Sequence, residues 1–129
     1  MSSDKFEITT DPSQSLLRIT MRGHWTVDTV REYKDALIPT IERMLAAGCV
    51  RGNMIALVDT REGGVQAQEV IAEYQKQLGE SGLAPRRLAT LVSSALFKRQ
   101  VERIAILNQR LFTDEAEALA WLLAPDESV

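Results

Sequence analysis

Six residues that could bind a ligand follow two apolar stretches of the sequence, close to the points where those stretches end. They are Asp59, Thr60, Ser93, Ser94, Lys98 and Arg99. The hydroxyls and the two cations suit an anion, because free backbone N–H groups at the start of a helix also favour negative charge. Asp59 could instead attract one of the cations, or accept hydrogen bonds from the backbone of the following loop. The six residues are therefore a candidate binding surface for an anionic ligand or an acidic partner.

The residue types most often used in catalysis are scarce. His24 is the only histidine, and although Asp59 could orient it for proton transfer, no motif places a nucleophile nearby, so a surface or packing role is the simpler interpretation. Cys49 is the only cysteine, which excludes an internal disulfide and favours a reducing compartment, and we expect it to be buried. Soft and imidazole ligands are too few for a metal site. We therefore predict a protein that is not an enzyme and carries no cofactor.

The overall composition is that of an ordinary globular protein. Of the 129 residues, 45% are hydrophobic and 26% are charged, and the net charge of -3 gives no reason to expect nucleic acid as a partner. No apolar stretch approaches the roughly 18 residues of a membrane-spanning helix, and the N-terminus lacks the apolar core of a signal peptide. These features predict one domain over residues 1–129, located in the cytoplasm and without an integral membrane segment.

Two continuous apolar runs predict the strands that position the candidate surface. Residues 54–58 and 88–92 show no alternation of apolar and polar positions, which is typical of strands that are covered on both faces. Residues 60–64 are polar and end in two glycines, which predicts a loop that leaves the sheet after Asp59. If the two strands are parallel neighbours, they end at the same edge of the sheet, and the six candidate residues converge there.

The remaining elements follow from periodicity and capping residues. The alternation in residues 6–9 and 16–21 predicts an antiparallel hairpin. Helical spacing of apolar residues predicts four helices, which begin after Thr26 or Asp28, after residue 66, after Ser94 and after residues 113–115. Residues 109–112 predict a short edge strand. The buried stripe expected for the last helix consists of Ala116, Leu119, Ala120 and Leu123. The predicted order is β-β-α-β-α-β-α-β-α, an α/β fold with a mixed sheet, in which an N-terminal hairpin precedes parallel strands joined by crossover helices.

Several of these features together resemble a known family. They are the opening hairpin, the strand that ends at Val58 and Asp59, the polar segment before a helix, and the closing residues 110–122, where an edge strand and a short cap precede an alanine-rich helix that contains Trp121. The sequence resembles the STAS domain over nearly its whole length, and more closely the SpoIIAA-like bacterial group described as STAS/SEC14-like. The resemblance implies a STAS/SpoIIAA-like fold and a partner protein or a second copy of the chain.

The sequence departs from the phospho-regulated STAS antagonists at one position. In those proteins a serine or threonine opens the helix after the central strand, and a partner kinase modifies it. Residues 65–69 contain no hydroxyl here, and the nearest one, on Thr60, lies too early. The resemblance therefore implies a non-catalytic regulatory or protein-interaction module without this switch. SEC14-like proteins hold lipids in a pocket, so the alternative is a carrier or sensor of a lipid or small anion, although the chain has no room for their helical lobe.

Basic residues are concentrated in one part of the sequence. Between residues 86 and 110 there are six basic residues and one acid, whereas residues 111–129 contain five acids and no base. The six are Arg86, Arg87, Lys98, Arg99, Arg103 and Arg110. They could serve an anion near Ser93 and Ser94, or they could form a solvated surface that the acidic last helix neutralises. The sequence leaves both interpretations open.

Overall fold

The computed structural model describes residues 3–63, 66–80, 85–93, 99 and 108–125. They form a five-stranded sheet in the order β1-β2-β3-β4-β5, with β1 and β2 antiparallel and the other neighbours parallel. The strands are β1 (Phe6–Asp11), β2 (Leu16–Gly23), β3 (Ile55–Gly63), β4 (Arg87–Leu91) and β5 (Gln109–Phe112). The helices are α1 (Val27–Ala46), α2 (Gln68–Glu80) and α3 (Glu115–Leu123). This architecture confirms the predicted α/β fold, while the helix expected after Ser94 lies outside the described residues.

The opening hairpin turns through a short 3-10 helix, Pro12–Gln14. The Asp11 carboxylate accepts hydrogen bonds from the backbone N–H of Ser13 at 3.2 Å and from its hydroxyl at 2.6 Å, which holds the turn. Ser15 closes the turn in the left-handed conformation, with φ 54°. The alternating pattern of β2 then buries Leu17 and Ile19 completely, as the sequence predicts.

Helices α1 and α2 pack on one face of the sheet and enclose the larger core. Thr26 caps α1, because its side chain accepts from the backbone N–H of Thr29 while the Thr29 side chain accepts from the backbone N–H of Thr26. The apolar stripe of α1 packs against the hairpin and β3, as expected from its spacing. An aromatic cluster joins β1, α1 and α2, and its members are Phe6, Trp25, Tyr33 and Tyr74.

Helix α3 packs on the other face of the sheet, over β3 and β4, but in a different orientation from the one predicted. Ala118 and Leu122 are its buried residues, and they contact Leu57, Leu91 and neighbouring apolar side chains. The predicted buried stripe is wrong: Ala116 and Ala120 are exposed, and Leu123 is 45% exposed. The helix is apolar on nearly all sides, so its sequence contains no polar face that could show which side meets water.

Strand β3 continues beyond Asp59 through Gly63, where the sequence predicts a loop. The extra residues pair with the end of β2, with Glu62 opposite Arg22 and Gly63 opposite Gly23, after an irregularity in register near Met21. The predicted loop is wrong because β2 is long enough to provide backbone partners here. Arg61 and Glu62 are polar because they are exposed to solvent, not because the chain leaves the sheet.

Candidate functional site

The structure brings three of the six candidate residues to the same edge of the sheet. Asp59 lies opposite Leu91 in the pairing of β3 with β4, and Ser93 follows β4 and donates from its hydroxyl to the Arg61 carbonyl at 3.4 Å. Thr60 is adjacent, and as the next residue in the strand it points to the opposite face from Asp59. Ser94 and Lys98 lie outside the described residues. Arg99 is an exposed helical residue whose neighbours are not described, so its convergence on this edge stays a prediction.

Asp59 is bound by Arg61 on the same strand. The Asp59 carboxylate accepts from the Arg61 backbone N–H at 3.0 Å, from Nε at 3.0 Å and from Nη2 at 2.8 Å. Burial raises the pKa of Asp59, but these hydrogen bonds, together with the charges of Arg61 and Arg18, outweigh burial and place the pKa below its ordinary value. Asp59 is thus an ionised residue that holds the local backbone, which was one of its two expected roles.

Three charged residues that the sequence does not single out complete the surroundings of Asp59. Glu115, in the first turn of α3, pairs with Arg18 of β2 and, at 3.2 Å, with Arg61. Hydrogen bonding to Asp59 is the main reason that the pKa of Arg61 is raised. We call Arg18, Asp59, Arg61 and Glu115 the charge network. Its members come from distant parts of the sequence and match no motif, so only the fold could show that they meet.

The hydroxyl of Thr60 is engaged inside the protein. Thr60 is 4% exposed and its hydroxyl donates to the carbonyl of Leu91, which ties β3 to the end of β4. Thr60 therefore contributes a buried structural contact in this conformation. Its neighbour Ser93, at the same edge, is exposed to solvent.

Gln66 lies between β3 and α2, in the segment that contains no hydroxyl. Its side-chain carbonyl accepts from the backbone N–H of Trp25 at 2.8 Å, and its amide nitrogen donates to the Gly23 carbonyl at 3.0 Å. The side chain thereby joins the segment before α2 to the connection between β2 and α1. Its role at this position is structural support of two adjoining segments.

Three of the basic residues between positions 86 and 110 lie at the C-terminal end of α3, namely Arg86, Arg87 and Arg110. Arg86 donates to the Leu122 carbonyl at 3.4 Å, and Arg87 donates to the Trp121 carbonyl. The guanidinium groups of Arg87 and Arg110 lie 5.3 Å and 5.5 Å from the centre of the Trp121 ring. Cations at this end of a helix complement its dipole, and the ring adds a cation–π attraction. Arg86 precedes β4 and Arg87 begins it, at the opposite end of that strand from Ser93, so they do not join the candidate surface.

The residue types associated with catalysis and metal binding are dispersed. His24 is exposed, and Cys49 is buried, with its sulfur 3.6 Å from the Pro12 carbonyl oxygen. Among the residues that the structure describes, no three His, Cys, Asp or Glu side chains come together in a way that could hold a metal ion. No helix in the described ranges has the length and apolar character needed to cross a membrane.

A groove of about 240 Å³ lies between β1, the 3-10 turn and the second half of α1. Its walls combine apolar and polar side chains, which are those of Ile8, Thr9, Thr10, Pro12, Thr40, Arg43 and Met44. Thr40 is buried, and its hydroxyl donates to the Ala36 carbonyl at 2.8 Å and accepts from Arg43 at 3.1 Å. The sequence does not predict this groove, because its residues are separated along the chain and match no binding motif.

Comparison with known proteins supports the architecture. No family model matches the chain, and no curated protein matches it. Among solved structures it is similar to an uncharacterized protein from the DUF3478 family with a SpoIIAA-like fold, from Shewanella loihica PV-4. The TM-score is 0.66 at 23% sequence identity, and the match covers 95% of this chain and 98% of that chain. The chain therefore has a SpoIIAA-like fold, as its resemblance to the STAS domain predicted.

Proposed function

We propose that the chain is a non-catalytic interaction module that binds another protein beside the C-terminal end of β4, where Asp59 and Arg61 of β3 lie close to Ser93. The observation that carries this proposal is the charge network, in which the carboxylates and guanidinium groups at the edge bind one another. Charged groups that already bind one another are poor candidates for proton transfer or nucleophilic attack, but they form a fixed surface.

The exposed part of the charge network suits recognition of a protein. The side chains of Arg18, Arg61 and Glu115 are 34%, 39% and 35% exposed, and their mutual ion pairs hold them in place before a partner arrives. Preorganised side chains lose less conformational entropy on binding. A surface that presents both signs of charge in a fixed pattern selects a partner with the complementary pattern. Ser93, exposed beside Arg61, extends the same surface.

The proposed binding does not use phosphorylation of the segment before α2. Residues 66–69 contain no hydroxyl, and the Thr60 hydroxyl is buried against the Leu91 carbonyl. A kinase needs an accessible hydroxyl, so these observations support an interaction that does not use a phospho-switch at Thr60 or in the segment before α2.

The test is recovery of partner proteins on an affinity-tagged chain from its native cells, quantified by mass spectrometry. Ser93→Arg adds a bulky cation to the exposed edge and should lower recovery of the specific partner about tenfold, as for other disrupted interface centres. Gln14→Arg is the matched control, since Gln14 is exposed in the turn at the other end of the hairpin. Equal recovery with both variants, or no partner with the unchanged chain, would refute the proposal.

A small-ligand carrier or sensor is the second candidate, and the groove beside α1 is the observation that favours it. A volume of about 240 Å³ with the Arg43 guanidinium and threonine hydroxyls in its walls suits a small anion better than a lipid chain. Native mass spectrometry of the protein from its own cells should show a bound small molecule. Arg43→Gln should reduce its occupancy, whereas Arg31→Gln, on the first half of α1, should not. An unliganded mass for the unchanged protein would exclude this function.

A further inference from the structure

The outward face of α3 is apolar although it meets solvent. Ala116 and Ala120 are exposed, Leu123 is 45% exposed, and Leu119 is partly buried at the border. These positions are spaced by three, one and three residues, so they form one continuous side of the helix. We call Ala116, Leu119, Ala120 and Leu123 the outer α3 face. The other side of the helix packs on the sheet through Ala118 and Leu122.

The composition of the outer α3 face suits contact with another helix. A helix that is apolar on all sides is normally covered on all sides, and exposed apolar patches mark interaction sites. Ala116 and Ala120, one turn apart, allow a second helix to approach closely. Leu119 and Leu123 lie beside them and supply the larger side chains that would fill the space between the two helices.

Among the residues that the structure describes, charges beside the outer α3 face are separated by sign along the helix axis. Near the N-terminal end, Asp114 caps the helix and Glu117 is exposed. Near the C-terminal end, the exposed Arg110 guanidinium lies over Trp121, which is one turn after Glu117 on the same side. Neither Glu117 nor Arg110 forms an ion pair within the part of the chain that the structure describes.

We propose that a second copy of this chain packs on the outer α3 face, with the two α3 helices antiparallel about a two-fold axis. In this arrangement Glu117 of each copy lies opposite the Arg110 end of the other, so the contact forms twice. A parallel arrangement would place like charges together. Along α3 the acid lies near one end and the base near the other, so an antiparallel second copy places each acid opposite a base. This complementarity favours a second copy over an unrelated helix. This surface adjoins the partner-binding edge at Glu115, the residue before Ala116, but it uses other side chains and does not depend on the proposed partner.

The size of the outer α3 face predicts a weak and reversible dimer. A nine-residue helix is about 13 Å long. The contact therefore falls below the roughly 1,200 Å² of total buried area that stable complexes reach, and a dissociation constant in the micromolar range or above is expected. Sedimentation velocity from about 10 μM to about 1 mM covers this range.

The test uses the full chain and two independent changes to the face. Ala120→Arg places a charge at the centre of the contact and should weaken dimerisation at least about tenfold. Ala46→Arg is the matched control, because Ala46 is an exposed alanine at the end of α1, on the other face of the sheet. Glu117→Arg and Arg110→Glu should each weaken the dimer. The double variant that carries both substitutions should restore the dimer, because the acid and the base have then exchanged positions and the ion pair between the copies can form again.

Rescue by the double variant separates a lost contact from a lost fold, because an unfolded single variant would not regain dimerisation. A wild-type chain that remains monomeric at about 1 mM would overturn the proposal. So would a dimer that Ala120→Arg leaves intact, or one that the exchanged charge pair fails to restore. None of these results changes the effect of Ser93→Arg on partner recovery, so failure of the self-association surface is distinct from failure of the proposed function.

Discussion

Leu91→Ala is expected to lower the free energy of unfolding by about 2–5 kcal/mol, the range for truncating a buried leucine. Leu91 is fully buried at the end of β4, where it packs with Leu57 and with the inner side of α3. Removing its side chain loses contacts on both the sheet and the helix, and neighbouring strands limit how far the site can collapse. Chemical denaturation followed by circular dichroism measures the change.

Leu123→Ala is the matched control for this prediction. The Leu123 side chain is 45% exposed on the same helix that covers Leu91, so the same truncation should change stability by less than about 0.5 kcal/mol at a dilution where the chain is monomeric. Equal and small effects of both substitutions would contradict the position of Leu91 in the core beneath α3.

The strands that carry the core could be predicted because their sequences allow few alternatives. Residues 54–58 are apolar without interruption and residues 88–92 are apolar except for Thr90, and a strand covered on both faces hides all such side chains in so short a segment. The structure covers β3 and β4 with α1 and α2 on one face and α3 on the other. The capping role of Thr26 and the edge position of β5 follow from equally local signals.

The orientation of α3 and the end of β3 could not be predicted, because both depend on neighbours that are distant in sequence. Ala118 and Leu122 differ little in polarity from Ala116 and Leu123, so the surface beneath the helix decides which pair is buried. Residues 60–63 have the composition of a loop, yet the length of β2 provides partners that keep them in the sheet. The backbone hydrogen bonds between β2 and β3 therefore determine the conformation of this segment more strongly than its local composition does.

The candidate site was predicted only in part for the same reason. Asp59, Thr60 and Ser93 could be placed at one edge, because parallel strands end together. Their partners could not be placed there from the sequence, because Arg18 and Glu115 reach the edge from β2 and α3 and neither belongs to a recognisable motif. These partners favour the structural one of the two roles expected for Asp59, at the centre of the charge network.

Asp59→Asn tests this interpretation and is expected to lower the free energy of unfolding by about 1.5–3 kcal/mol at neutral pH, the range for hydrogen bonds to a charged group. Asparagine is nearly the same size and can still accept from the Arg61 backbone N–H. It cannot provide the negative charge that binds the Arg61 guanidinium through two hydrogen bonds. Asp35→Asn is the matched control, because Asp35 is exposed on α1, where charge removal should change stability by less than about 0.5 kcal/mol.

The difference in stability between the wild type and Asp59→Asn should depend on pH in one direction. Burial raises the pKa of Asp59, but the Arg61 hydrogen bonds outweigh it, so the folded pKa lies below the unfolded value of about 3.9. A depressed folded pKa contributes stability that is fully present above the unfolded pKa and is lost as the pH falls through the folded pKa. Denaturation midpoints measured from about pH 7 to about pH 2 should therefore converge below about pH 4. A difference that stays constant to the lowest pH, or one that is absent at pH 7, would show that the Asp59 charge does not hold this edge.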